Sequence, residues 1–118
     1  MHKITLIPVF ILVLAGISLA QSGPKAIRFA EFGPMSQKDV KTKVDGLLKE
    51  MSKDRSCQGY IITYGSTKAI AARHRQITNS ITFLRLDPLR LTFVDGGFEK
   101  KVRTVMWIVP AGAEPPTP

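Results

Sequence analysis

Apolar positions in this chain change rhythm several times, and each rhythm predicts an element. Ala26–Ile27–Arg28–Phe29–Ala30–Glu31–Phe32 is rich in β-favouring residues and is stopped by Gly33–Pro34, which predicts a first strand. Ser36 with Asp39 three residues on resembles a capping box. Val40, Val44, Leu47, Leu48 and Met51 then recur at spacings of three and four, which predicts a helix with one buried face running to about Lys53. Tyr60–Ile61–Ile62–Thr63–Tyr64 is almost continuously apolar, as in a strand covered on both faces at the middle of a sheet. Ser66 or Thr67 can cap the next helix, whose stripe is Ile70, Ile77, Ile81 and Leu84, and Asp87–Pro88 ends it. Arg90–Val94 alternates as a third strand, Asp95–Gly96–Gly97 reads as a reversal, and Lys101–Val109 returns as a fourth strand. In that strand Val102, Met106 and Ile108 share one face, and Val105, Trp107 and Val109 the other.

Collected, the order is β-α-β-α-β-β. It predicts an α/β (α+β) fold, a single mixed β-sheet with two helices on one face. Two crossovers imply parallel pairings and a final hairpin adds an antiparallel strand. The chain of 118 residues has room for one such domain, placed at residues 26–110. Residues 21–25 form a flexible lead, and the Pro-rich residues 111–118 lack any apolar period and read as a mobile tail.

The N-terminus alters this picture. Met1–His2–Lys3 is a short basic start, Ile4 to Ala20 is almost wholly apolar, and Ser18–Leu19–Ala20 places small residues at the two positions a signal peptidase reads. Residues 1–20 are expected to be a signal peptide cleaved before Gln21, giving an exported protein of the periplasm or cell envelope with no membrane span after processing. Charge adds a partner class. With 17 Lys and Arg against 9 Asp and Glu, the formal net charge of +8 favours anionic partners such as a phospholipid face, a cell-wall polymer or nucleic acid. No nucleic-acid-binding motif is present, so that class is not expected.

Chemistry of the catalytic kind finds little material. After the leader the only histidine is His74 and the only cysteine Cys57, so neither a metal cluster nor an intramolecular disulfide is predicted. A Ser66 or Cys57 nucleophile would need His74 as its base, and no motif supports that pairing. The chain is therefore expected to be no enzyme and to need no cofactor. The residues that stand out are cationic. From Arg55 to Leu86 there is no acidic residue, while Arg55, Lys68, Arg73, Arg75 and Arg85 all fall there. On a helical wheel Arg73 lies roughly 60° from the centre of the apolar stripe and Arg75 roughly 140° from it. Arg73 should project at the helix-sheet margin and Arg75 into solvent.

Gly59, Arg73, Ile77, Ile81 and the pair Arg90–Leu91 together carry a resemblance. With the element order and the export signal, the stretch resembles the OmpA-like domain, a periplasmic peptidoglycan-binding module. Its pattern is Gly-His-Thr-Asp on the second strand, Asn-x-x-Leu-Ser-x-x-Arg-Ala on the following helix and an Arg-Ile strand. The spacing from Arg73 to Arg90 is similar to the family's without a gap, and the likeness spans about Ile27 to Val109.

The resemblance implies a site in which a strand Asp holds the ammonium of diaminopimelate and the helix Arg holds a carboxylate. In this chain Ile62 stands at the Asp position, Ser66 replaces the Asn, Ala69–Ile70 replaces Leu-Ser, and His74 replaces the Ala. Losing a carboxylate partner for a buried ammonium costs ~2 to 5 kcal/mol of binding. Two functions stay open: an envelope module binding the cell wall or another anionic envelope polymer through Arg73, Arg75 and Arg90, and a structural or protein-interaction module that has lost that ligand and docks an envelope protein.

Overall fold

The computed structural model describes residues 23–84 and 90–118, so the apolar leader and Asp87–Pro88 lie outside the described residues. Six elements follow in the expected order: β1 (Ile27–Phe32), α1 (Gln37–Met51), β2 (Gln58–Tyr64), α2 (Thr67–Leu84), β3 (Leu91–Gly97) and β4 (Arg103–Val109). They build one mixed four-stranded sheet and two helices, an α+β fold.

Both helix starts are fixed by serine. The Ser36 hydroxyl accepts the Asp39 amide at 3.2 Å, and the Ser66 hydroxyl accepts the Ala69 amide at 3.1 Å. Each bond satisfies one of the amides that a helix leaves free at its first turn. Val40, Val44, Leu47 and Met51 of α1 and Ile77 and Ile81 of α2 are buried together against Phe32, Ile61, Leu91 and Met106 of the sheet. A fully buried Leu47 or Ile61 contributes about 1.5–3 kcal/mol by leaving water. One shared core explains why both helices sit on the same sheet face.

The strand order is β1-β4-β2-β3, which corrects the expected hairpin. β4 does not pair with β3; it lies antiparallel between β1 and β2. Only β2 and β3 pair in parallel, so β1 and β2 run the same way without touching. The physical reason lies in β4 itself. Val105 and Met106 point to opposite faces and are 2% and 0% exposed, so this strand needs cover on both sides and fits the sheet interior. β3 carries Thr92 and Asp95 and tolerates the edge.

The Gly-Gly pair is likewise not the turn. Thr63 is opposite Asp95 and Tyr64 opposite Gly97, so Gly96 is an extra residue in the β3 ladder. A Cβ on Gly96 would lie 2.5 Å from the Tyr64 ring, which is why this bulge needs glycine. At the other end of β2, a Cβ on Gly59 would meet the Leu91 side chain at 2.6 Å and the Met51 sulfur at 2.9 Å. Its absence lets the end of α1 close on the sheet. The chain reverses instead through residues 98–102. Beyond β4, a turn closed by the Ala113 amide on the Pro110 carbonyl at 3.1 Å opens the tail.

The face away from the helices carries stacked cations. The Arg103 guanidinium lies 4.0 Å from the Tyr64 ring centroid and that of Arg28 lies 5.2 Å from the Trp107 ring. Glu31 pairs with both arginines, at 3.1 Å to Arg28 and 3.5 Å to Arg103. Ile62 and Val105, paired across β2 and β4, are buried on this side.

Candidate functional site

Arg73 sits two turns into α2, on the line of Ala69, Gln76, Ile77 and Ser80, which the helical period places along one side. At the margin between helix and sheet Arg73 reaches Thr104 of β4, and it is only 2% exposed. A wheel drawn for one helix omits what packs beside it. Here the Gly33–Met35 connection between β1 and α1 lies over the guanidinium, whose Nη2 donates to the Gly33 carbonyl at 2.6 Å. Nη1 donates to the Thr104 hydroxyl at 2.8 Å and Nε to the Gln76 side-chain oxygen at 3.0 Å. The Phe32 ring centroid lies 4.9 Å from the same guanidinium.

All of these partners are neutral. Among the ion pairs of the described residues none involves Arg73, and burial alone pushes its guanidinium below its usual value. An arginine has five N–H donors, so the three bonds leave two without an acceptor among the described residues. Beside it opens a cavity of about 220 Å³ lined by Pro34, Met35, Ala69, Ala72, Gln76 and Val102 as well as Arg73. A planar cation at the wall of such a cavity is suited to a carboxylate.

A polar seam supports Arg73 and was not legible in the sequence. Thr104 shares its hydroxyl with Thr63 at 3.0 Å, and both threonines are fully buried. Gln76 donates to the Met35 carbonyl at 3.3 Å, while Gln37 donates to the Gln76 carbonyl at 2.9 Å and to the Ser80 hydroxyl at 3.1 Å. The available signals were weak: a threonine inside each of two apolar strands and a glutamine one turn beyond Arg73.

The three arginines singled out by sequence do not converge. Arg75 is exposed on the outer side of α2. Arg90 lies at the opposite end of the sheet, where its Nη2 is within 2.9–3.2 Å of the Met51, Asp54 and Cys57 carbonyls. Its neighbour Leu91 pairs with Gly59, four residues along β2 from the Thr63 of the Arg73 network, a distance of about 13 Å along the strand. Arg90 therefore ties down the end of α1 and the start of β2. Ile62 also departs from the position the resemblance implied. It alternates with Ile61 and Thr63 and points to the sheet face away from the helices, so a residue at 62 does not face Arg73.

His74, next along the helix, packs edge-on against Phe93 with centroids 5.1 Å apart. Its Nε2 is buried without a hydrogen-bond partner, and burial lowers its pKa more than the nearby Asp95 raises it. Cys57 lies against Arg90, 3.2 Å from Nη2, and Ser66 is occupied as a helix cap. No group of three metal-ligating side chains occurs among the described residues. No protein-family model matches the sequence, and no curated protein is significantly similar to it.

Proposed function

We propose that the protein is an exported, non-catalytic cell-envelope module of OmpA-like type that holds a carboxylate-bearing polymer, peptidoglycan in the first instance, through Arg73. The observation that carries this reading is a buried guanidinium, with no carboxylate partner among the described residues, at the wall of a cavity. Burying a cation costs several kcal/mol unless it is compensated, and an incoming carboxylate would supply the charge that neutral oxygens do not. The export signal and the net charge of +8 favour an anionic envelope partner. Arg75 is a peripheral contact at most in this reading, and Arg90 has a structural task at the far end of the sheet.

A second reading is favoured by one specific observation. Each guanidinium nitrogen of Arg73 already has an acceptor, so the side chain can serve as a latch between α2, β4 and the β1–α1 connection. The module would then be structural, or would dock an envelope protein through another surface.

Co-sedimentation with isolated peptidoglycan separates the two. Ala72 lines the cavity and is exposed, so Ala72→Glu sets a competing carboxylate beside Arg73 without removing any of its bonds. The receptor reading expects the parent chain to sediment and Ala72→Glu to lose at least tenfold in affinity with its melting temperature kept. No sedimentation of the parent, or equal sedimentation of the variant, would leave the latch.

A further inference from the structure

Phe98 is 78% exposed, the most exposed of the large hydrophobic side chains among the described residues. It sits at the start of the 98–102 reversal, between two residues that are themselves fixed in place. The Gly97 amide donates to the Asp95 carboxylate at 3.0 Å, and the Gly97 carbonyl accepts the Gly65 amide at 3.0 Å. On its other side Glu99 binds Arg103 through two contacts of 3.1 and 2.7 Å, and Arg103 is in turn stacked on Tyr64. That clamp also neutralises the only acid in the reversal. Lys100 and Lys101 follow, both exposed, and Lys68 stands exposed at the start of α2, which the Gly65–Gly97 bond brings alongside. Both helices begin at this end of the sheet, so their positive dipole ends add to the lysines.

We infer that this end of the domain is a docking tip for an anionic phospholipid surface, with the Phe98 ring entering the headgroup–acyl boundary and Lys68, Lys100 and Lys101 contacting lipid phosphates. A projecting aromatic ring among cations matches such a boundary on both counts: the ring gains by leaving water, and each lysine near an anionic surface adds attraction. A soluble anionic polymer would use the lysines but leave the ring in water. Phe98, Lys68 and Lys100 do not line the Arg73 cavity, so the tip is separable from the proposed carboxylate site.

The test is sedimentation of the full chain with vesicles of phosphatidylglycerol and phosphatidylcholine in equal parts, and with phosphatidylcholine alone. The apolar leader is common to all variants, so any binding it causes is common to all of them. Binding is expected to be stronger on the anionic vesicles and to weaken with salt. Phe98→Ser should lower partitioning on anionic vesicles by on the order of tenfold, and the double change Lys68→Gln with Lys100→Gln by a similar, on the order of tenfold, factor. Equal binding to both vesicle types, or unchanged binding of the variants, would overturn the proposal. Loss with the lysine variant but not with Phe98→Ser would overturn it too, because attraction without ring insertion is all that would remain.

Discussion

Two arginines, Arg73 and Arg90, secure opposite ends of this sheet in different ways. Arg90 lies where α1 ends, among the carbonyls of Met51, Asp54 and Cys57, where the negative end of a helix welcomes a cation. Its charge also helps hold the Asp54 carboxyl below its ordinary value, after the larger effect of the Ser56 hydrogen bonds. Arg73 lies in the first half of α2, away from any helix C-terminus, with a hydroxyl, an amide oxygen and one carbonyl for company. One arginine is compensated by its surroundings; the other is bonded but electrically unbalanced. Arg73 is buried and Arg90 half-buried, yet it is the sign of the field around each, not its burial, that separates their tasks.

The largest expected effect tests whether Arg73 is also a structural latch. Arg73→Met strands the Thr104 and Gln76 side chains and the Gly33 carbonyl, and urea unfolding should show a loss of about 3 kcal/mol. For a domain of this size that corresponds to a fall of roughly 15 °C in melting temperature. A loss below about 1 kcal/mol would mean that the cost of burying the charge nearly cancels its bonds, and that Arg73 serves a ligand more than the fold.

Arg90→Met should cost less, about 1–2 kcal/mol. The damage should be local: faster amide exchange at the end of α1 and in residues 52–57, with the Arg73 end unchanged. Exchange that rises equally at both ends would show that the two arginines belong to one cooperative unit and would break the comparison.

The smallest effect is a slope. Burial holds the His74 pKa below its ordinary value of 6.5, so the unfolded chain takes up its proton first as pH falls. His74 therefore favours the fold above about pH 6.5, and that stability is lost as pH drops from there through the lower folded value. His74→Gln should flatten stability against pH in this window, as measured by denaturation midpoints, while Arg90→Met keeps the slope. A slope unchanged by His74→Gln would place the titrating group elsewhere.

Local pattern made the elements legible. The Val40–Val44–Leu47–Met51 stripe, the Ser36 and Ser66 caps and the apolar run of β2 all follow from periods and side-chain chemistry that operate within a few residues. Which strands became neighbours was harder to read, because Asp95–Gly96–Gly97 carries a turn signal that the β2 ladder absorbs as a bulge. Val105 and Met106, buried on opposite faces of β4, suit an interior strand, but that argument concerns the whole sheet and has no local period.

The site divides along the same line. Sequence alone picked out Arg73 as a cation beside an apolar stripe. Only the tertiary structure decided that the Gly33–Met35 connection covers it, that Thr104 and Gln76 bind it, that Ile62 faces the other way, and that Arg90 lies toward the opposite end of the sheet. Helices and strands are set by interactions between near neighbours in the chain. A buried charge is set by groups 31 and 40 residues away, and whether any of them is a carboxylate depends on how the sheet is ordered.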